Sequence, residues 1–416
     1  MKKHMFNIGL ESLDDEAAVD VSALEKPEEG VEAHLVEVEG QDADLGEAEM
    51  AGDQLAADTD TLESLGDVVE DAVESGEGMD ETAARAVEVG VESIANRWGF
   101  KVQKLGAESF NGANRAQATR VAYEGVMDAV KDAWDTFLKW LQEMINKLRD
   151  FWVKYVNAGK AMQKRAEKLG DRLDNIGSKV KSGKDKIGGG WTSKLLLDGK
   201  IDPSGVIALA SGLSSDLKTA AKGAKMSLER VNGEIKSGTG TRDAGHKIEF
   251  GKKTSKALAK LVPSAATAPV AFALPGGAYW VTYMMPVAEA ESVPVHSYIA
   301  VAENTGDKKI NTPSAAEMKT AVGAINTYGV ALEKAITEFR PGQEEMAKLN
   351  DAVKSAVAKL KEGKAEEKAA NKIALKKARF AVQSQVGLTR AASGALRNGG
   401  FGLIGYVQAG IDSYEK

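Results

Sequence analysis

Cysteine is absent from the 416 residues of this chain. Its absence excludes disulfide bonds, thiolate metal sites and a cysteine nucleophile, and it fits a reducing or intracellular origin. Histidine is scarce as well, because the chain has only His4, His34, His246 and His296. No HExxH zinc motif occurs, and a histidine-based triad would have to use one of the last two. We expect His246 to be a turn residue and His296 a strand residue.

Long uninterrupted apolar runs are also missing. The weakly polar stretch from Leu261 to Pro286 contains three internal prolines and the Gly276-Gly277 pair. It therefore cannot form a membrane-spanning helix of about 20 residues. Acidic residues from Glu11 onward precede any apolar run of signal-peptide length, so no secretory signal is readable. These absences predict a soluble protein that makes no membrane contact.

Positive charge is almost missing from the first 108 residues, which we call the leader. The leader has 29 Asp and Glu against 7 Lys and Arg, a net charge of 7 − 29 = −22. The remaining residues, 109–416, have 47 Lys and Arg against 32 Asp and Glu, a net charge of 47 − 32 = +15, and we call them the body. An acidic segment joined to a basic domain is typical of an interaction segment or pro-segment followed by a domain that works next to a polyanion.

The leader is predicted to be largely flexible. Residues 12–80 are rich in Glu, Asp, Ala and Gly and have no aromatic residue, so alone they should be disordered or only loosely helical. Near residues 80–98 the pattern changes, because Ala84, Val87 and Val91 recur at helical intervals. This spacing predicts one short amphipathic helix before the body begins.

The body is predicted to be mainly α-helical with a small antiparallel β insert, an α+β fold behind a disordered acidic pro-segment. Its first region, residues 109–245, begins with a long apolar stripe from Ala118 to Val156 that includes Trp134 and Trp152. We expect this stripe to pack in a core or to mediate self-association, in preference to inserting at a membrane interface. Further helices are expected from Lys160 to Ile176 and, as a pair, between Ser204 and Lys236.

The β insert is predicted over residues 246–312. Three short strand candidates begin at His246, Ala278 and Val293, and Pro and Gly turns separate them. Residues 313–416 form the last region, in which Ser314 and Glu317 have the spacing of a helix capping box. We expect one helix from there to Arg340, another from Gln343 to about Ser384, and a glycine-rich C-terminus without a clear assignment.

Lysine is abundant in the body and is the main candidate for contact with a polyanion. Such lysines can neutralise phosphates without recognising base sequence, in a salt-dependent association. The alternative for each of them is ordinary solubilising charge on a helix surface. The candidates are Lys179, Lys181, Lys184 and Lys186 in a loop, and Lys354, Lys359, Lys361, Lys364, Lys368, Lys372, Lys376, Lys377 and Arg379 along one helix.

The junction between leader and body resembles a known family. Gly106-Ala107-Glu108-Ser109-Phe110, followed by Arg115, Ala118-Thr119-Arg120 and a Trp-bearing helix, is similar to the internal head proteins of large tailed bacteriophages. The resemblance implies a precursor with an acidic propeptide, which a prohead maturation protease cleaves after Glu in a small-x-Glu motif. It implies a cleavage site at Gly106, Ala107, Glu108 and Ser109. Glu11 and Glu92 fit the same motif as secondary cleavage candidates.

The resemblance also implies a function, a virion structural protein inside the capsid that is made in the host cytoplasm. Its expected partners are the prohead protease, scaffold or capsid proteins, nonspecific DNA and further copies of itself, and no cofactor, metal or catalytic residue is expected. The leader would mask the body until cleavage, so the fragment 109–416 should bind duplex DNA at low salt while the full chain does not.

Three alternatives remain open from the sequence. The protein could be ejected with the DNA as an effector that inhibits a host enzyme, or it could be a prohead scaffold protein that leaves the head. It could also be an enzyme that uses carboxylates of the β insert, namely Glu289, Glu291 or Glu303. A convergent pocket around these carboxylates would support the enzyme.

Overall fold

The structure is a computed structural model, and it describes residues 31–102, 110, 114–176, 185–237, 262–288, 291–300, 309–362 and 365–414. In this part of the chain the structure is mainly α-helical with small antiparallel sheets, which confirms the predicted fold class. The helices are α1 (Val31–Glu74), α2 (Glu81–Trp98), α3 (Arg115–Ile176), α4 (Pro203–Ser237), α5 (Ala315–Glu362) and α6 (Ala365–Tyr414). The strands are β1 (Lys186–Gly188), β2 (Leu196–Leu197), β3 (Lys200–Ile201), β4 (Thr267–Leu274), β5 (Ala278–Ala288), β6 (Glu291–Ala300) and β7 (Lys309–Asn311).

Helices α3 and α5 lie antiparallel along each other and make the most extensive contact between two helices in the described residues. The apolar stripe predicted on α3 is buried, and Trp152 stacks obliquely on Phe339 of α5 with ring centroids 5.1 Å apart. The two helices predicted on either side of residue 158 are one helix of 62 residues. Gly159 lies inside this helix and permits the close approach of α5, since a Cβ there would lie 2.7 Å from the Gly329 carbonyl oxygen.

The expected break after Arg340 does not occur. Helix α5 continues through Pro341, although a proline inside a helix removes one backbone hydrogen bond. The residue after it, Gly342, lies directly against the buried side chain of Gln385 on α6, with no room for a Cβ. Tertiary packing on both sides of the proline therefore outweighs the local preference for a helix end.

Helix α6 occupies the centre of the bundle, where most of its residues from Ala374 to Ile411 are buried. This explains the glycine-rich C-terminus, which could not be assigned from the sequence. A Cβ at Gly387 would lie 2.2 Å from the carbonyl oxygen of His296 in β6, and one at Gly399 would lie 2.5 Å from the ring of Tyr328 in α5. Glycine is used here for close approach between neighbouring elements.

The β insert is a three-stranded antiparallel sheet with the order β4-β5-β6. The strand candidates beginning at Ala278 and Val293 are confirmed as β5 and β6, in a register that pairs Trp280 with Tyr298. Strand β4 was not predicted, because Pro269 and its alanines give it little strand character. The third candidate, from His246 to Gly251, lies outside the described residues.

Two smaller pairings and two caps complete the framework. Strand β1 pairs with β7 and β2 with β3, both antiparallel. The capping box at α5 is confirmed, because the Ser314 amide donates to Glu317 Oε2 at 2.7 Å and the Glu317 amide donates to Ser314 Oγ at 3.3 Å. The helix predicted near residues 80–98 is α2, which Asp80 caps at its start and Gly99 ends in the left-handed conformation.

The leader is more ordered than the sequence predicted. Residues 31–74, expected to be flexible, form the 44-residue helix α1, while residues 1–30 lie outside the described residues. The prediction considered the segment alone, whereas in the structure α1 packs along α3 and also contacts α6. Its side chains Leu45, Leu55, Leu62 and Val69 are at most 1% exposed. Their spacings of 10, 7 and 7 residues form a narrow apolar seam that pattern analysis over a short window does not detect.

Replacing Gly387 by alanine tests the close packing of α6 against β6. We expect Gly387→Ala to lower the free energy of unfolding by about 1–3 kcal/mol, since the new methyl group meets a backbone carbonyl that cannot rotate away. The matched control is Gly323→Ala on α5, where nothing lies within 4 Å, and it should be neutral or stabilising by up to about 1 kcal/mol. Urea unfolding of both variants measures this, and equal effects would contradict the packing argument.

Candidate functional site, an acidic helix on a basic stripe

Helix α1 has an unusual composition for a helix in a folded domain. It contains 15 Asp and Glu and no Lys or Arg. Its apolar seam faces α3, where two indoles hold it by hydrogen bonds: Trp140 Nε1–H donates to the Ala48 carbonyl at 2.7 Å and Trp134 Nε1–H donates to Glu63 at 3.0 Å. Gly52 lies against the ring of Trp140 with no room for a Cβ. Helix α1 is therefore fixed in position along α3.

Five basic residues line the side of α6 that faces α1, and we call them the basic stripe. Their spacings of 4, 7, 11 and 7 residues are close to whole numbers of helical turns, so they share one side of the helix. Some of these charges are deeply buried, since Arg379 is 2% exposed and Arg397 is 7% exposed. The stripe consists of Lys368, Lys372, Arg379, Arg390 and Arg397.

Every member of the basic stripe pairs with an acidic residue of α1. In the part nearest the end of α1, Lys368 Nζ lies 3.5 Å from Glu70, and Lys372 contacts Asp67. In the middle, both oxygens of Asp60 accept from Arg379 Nη2 at 2.9 and 2.7 Å. The same guanidinium donates from Nη1 to the carbonyl oxygen of Ala56 at 3.0 Å.

Two further arginines extend the pairing toward the start of α1. Arg390 contacts Glu49, and its Nε lies 3.9 Å from Asp42, while Arg397 Nη2 lies 3.5 Å from the same Asp42. Since residue numbers rise along one helix as they fall along the other, α1 and α6 run antiparallel. From Asp42 to Glu70 the paired segment covers 28 residues, or about 42 Å of helix.

Burial opposes the charges in this interface. It raises the pKa of Glu49 from 4.5 to about 7, although the Arg390 guanidinium lowers it. Burial likewise raises the pKa of Asp53, which accepts a hydrogen bond from Gln383, and of Glu63, which accepts from Trp134. Since burial offsets the attraction within each pair, we expect the ion pairs to add little net stability and to specify which helix lies on the stripe and in which register.

Of the predicted cleavage residues, the structure describes only Glu92. Gly106, Ala107, Glu108 and Ser109 belong to the connection between Trp98 and Arg115 and lie outside the described residues, as does Glu11. Glu92 lies in the middle of α2 next to the buried Val91.

The candidate residues for phosphate contact lie in different environments in the structure. On α6, the prediction of surface phosphate contacts is wrong for Lys377, which is fully buried, and for Arg379, because both are enclosed by acidic partners. Lys368 and Lys372 pair with α1, Lys376 is half-buried, and Lys354 on α5 is exposed. Lys186 is exposed on β1. Outside the residues whose side chains are described lie Lys179, Lys181, Lys184, Lys359, Lys361 and Lys364.

Of the residues considered for catalysis, the two that the structure describes, Glu291 and His296, make contacts inside the fold. Glu291 pairs with Lys377, whose Nζ also lies 2.8 Å from the buried Glu234 of α4, so this triad joins α4, β6 and α6. His296 on β6 accepts a hydrogen bond from Trp280 Nε1 at 3.1 Å, and burial lowers its pKa to about 4. His246, Glu289 and Glu303 lie outside the described residues.

The described residues show neither a metal site nor a membrane-spanning helix. No three His, Asp or Glu side chains in these ranges come together in a way that suits a metal ion. No helix among them has the length and apolar character needed to cross a membrane.

Comparison with known proteins decides the family. The family described as phiKZ-like phage internal head proteins matches residues 40–412, which is most of the chain. This chain belongs to that family. Neither the curated proteins nor the solved structures yield a match. The resemblance noted at the junction is thereby confirmed, and the family implies a place inside the virion head.

The matched range of this internal head protein has a structural consequence. It begins at residue 40, so it includes nearly all of α1 and the whole of α2. The acidic helix is therefore part of the sequence that the family shares, in the same continuous match as α6 and its basic stripe. The composition of the sequence reveals the opposite charges of leader and body, but it does not identify these pairs. A sequence pattern that could have indicated them is the spacing of 7 residues between Asp42 and Glu49 and between Asp60 and Asp67.

The raised pKa of Glu49 predicts a pH dependence of stability. Between pH 4.5 and about 7 the folded protein binds this proton more tightly than the unfolded chain, so the free energy of unfolding falls as pH rises through this window. Glu49→Gln removes the effect, and relative to wild type the variant should gain on the order of 2–3 kcal/mol between about pH 5 and pH 7.5.

Denaturant unfolding at several pH values measures this difference. Glu47→Gln on the exposed side of α1 is the matched control, since it removes one charge outside the interface. A wild-type and a Glu49→Gln curve that stay parallel across the window would contradict the assignment.

Proposed function

We propose that this internal head protein is made as a precursor, that the prohead protease cleaves it after Glu108, and that its body lies against packaged DNA. In this proposal the leader also contacts scaffold or capsid proteins during assembly. The role is structural and not enzymatic. One observation carries the proposal: the Gly106-Ala107-Glu108 motif falls at the charge boundary of a family member, in the connection between two helices.

The helices favour Glu108 over the competing motif at Glu92. Proteolysis concentrates in connections whose backbone can enter a protease, and a helix must first unwind. Cleavage after Glu92 would require α2 to open and would expose Val91 and Ile94, which are buried. Glu108 is separated from α2 by ten residues and from α3 by seven, as the helices end at Trp98 and begin at Arg115.

The DNA-facing surface proposed here is different from the one expected on α6. The basic stripe is covered by α1, whereas Lys160, Lys164 and Lys168 are exposed on the second half of α3. Among the side chains that the structure describes, none of the three has an acidic partner. Their spacing of four residues places them about 6 Å apart along the helix, close enough for contact with successive phosphates.

The cleavage is tested by the N-terminal residue of the protein in purified virions. We expect Ser109, and we expect Glu108→Gln to leave the chain uncut at this point because the protease requires Glu before the cleaved bond. Glu92→Gln is the matched control and should leave the Ser109 terminus unchanged. Recovery of uncut peptides that span Leu105 to Phe110 from wild-type heads would refute the proposed cut.

The DNA contact is tested by neutralising the three lysines of α3 together. For the protein cut after Glu108, we expect Lys160→Gln, Lys164→Gln and Lys168→Gln to weaken binding to duplex DNA. The slope of log affinity against log salt should fall by about 2.7, or about 0.9 for each lost phosphate contact. Fluorescence anisotropy from about 50 mM salt upward measures the slope.

The control for this test changes the net charge equally. It replaces three lysines that already have acidic partners by glutamine: Lys218 with Glu338, Lys225 with Glu229 and Lys348 with Glu345. Equal slopes for the two triple variants would show that net charge, and not this row of α3, determines the association.

A further inference from the structure

We infer that cleavage after Glu108 does not release the acidic helices: α1 and α2 stay bound to the body as a permanent part of the protein, held mainly by apolar contacts. This inference rests on the proposed cut, but it differs from the charge switch expected from the sequence. In that charge switch, loss of the whole leader would convert a chain with a net charge of −7 into a body with a net charge of +15.

Release of α1 would expose apolar surface on both α1 and α3. The α1 side chains Leu45, Leu55, Leu62 and Val69 are buried against the rest of the protein. On α3, Trp134 and Trp140 are 1% and 5% exposed, and both donate their indole hydrogen to α1. Departure of α1 would bring both indoles and the neighbouring apolar side chains into water, which is unfavourable at every salt concentration.

Release of α1 would also uncover the basic stripe. Arg379 and Arg397 are almost fully buried and are partnered by Asp60 and Asp42 of α1. A single cut in the connection to α3 breaks none of these contacts. Removing α1 would separate all of these ion pairs and expose the cations to water, so the pairs have a small net effect on retention and the apolar contacts carry most of it.

Hydrogen bonds away from the cut also fasten α1 and α2. The turn between α1 and α2 is tied to the first residues of α3, because the Met79 amide donates to Thr119 Oγ1 at 2.9 Å and Arg115 Nε donates to the Met79 carbonyl at 2.6 Å. The end of α2 is tied to α1, since Arg97 and Trp98 both donate to Asp58. These contacts remain after the chain is cut between residues 102 and 110.

Retention of α1 and α2 limits what the cut changes in the particle. If the helices stay, the cut leaves most of the negative charge in place and the basic stripe remains covered. Contact with a polyanion is then made by cations on other surfaces, such as Lys160, Lys164 and Lys168 of α3. The cut would alter the local chain ends, for instance by freeing Ser109 for new contacts, without exchanging the sign of the molecule.

The experiment uses the full chain with residues 103–109 replaced by the recognition sequence of a site-specific protease. The purified protein is cleaved and passed through a size-exclusion column in 0.15 M and in 1 M NaCl. We expect the leader fragment to elute with the body in both buffers, because salt screens ion pairs but does not weaken apolar contacts. Elution of a separate leader fragment in either buffer would overturn the inference.

Two neighbouring valines of α1 supply a matched pair of variants. Val69 is fully buried and Val68 is 53% exposed, so Val69→Asp disrupts the seam while Val68→Asp adds the same charge to the surface. After cleavage we expect Val69→Asp to raise the dissociation constant of the leader fragment at least tenfold, and Val68→Asp to leave it within about twofold. The uncut variants, in which α1 stays tethered, show by thermal unfolding that the body is folded. Equal retention of the two fragments would overturn the inference.

Mature heads distinguish this inference from the proposed cut. A body that begins at Ser109, accompanied by peptides from residues 31–98 in equal molar amount, supports both. A body that begins at Ser109 without those peptides upholds the cut and overturns retention. An uncut chain refutes the cut, while the size-exclusion result still decides whether the fragment would stay.

Discussion

The contact of α1 with both α3 and α6 is the constraint on which the described part of this protein depends. The side of α1 that faces α3 and the side that faces α6 contribute differently to stability. Burying one leucine or valine stabilises the fold by about 1.5–3 kcal/mol, whereas a buried ion pair has a net effect near zero once both charges have lost their water. The apolar seam toward α3 therefore supplies the attraction. The acidic row toward α6 supplies register and identity, because any other register would bury unpaired charges.

The same logic explains why α6 can lie at the centre. It carries glycine and alanine where α5, β6 and other neighbours approach closely. The five cations of the basic stripe and Lys377 each have an acidic partner fixed opposite. Lys377, enclosed by Glu234 and Glu291, joins the β insert to α4 in the same manner. The glycine-rich helix α6 is thus stabilised by its contacts with neighbouring elements and not by its own helix propensity.

Much of this architecture was open to prediction from local patterns. The apolar stripe of α3, the capping box at Ser314, the ends of α2 and two strands of the sheet all follow from short-range chemistry, and the structure confirms them. The errors share one cause. A flexible leader, a helix break at Pro341 and surface charge at Lys377 were each inferred from a segment considered alone, whereas distant partners decide all three.

By itself the sequence determined the charge division between leader and body, the helical class with its small sheet, and the family that the junction residues resemble. Only the tertiary structure decided that the acidic segment is a folded helix and that specific cations of α6 are its partners. The physical reason is that composition fixes how much charge and apolar surface a segment carries. Which of those groups meet is fixed by contacts between residues more than 300 positions apart in the chain, as with Asp60 and Arg379.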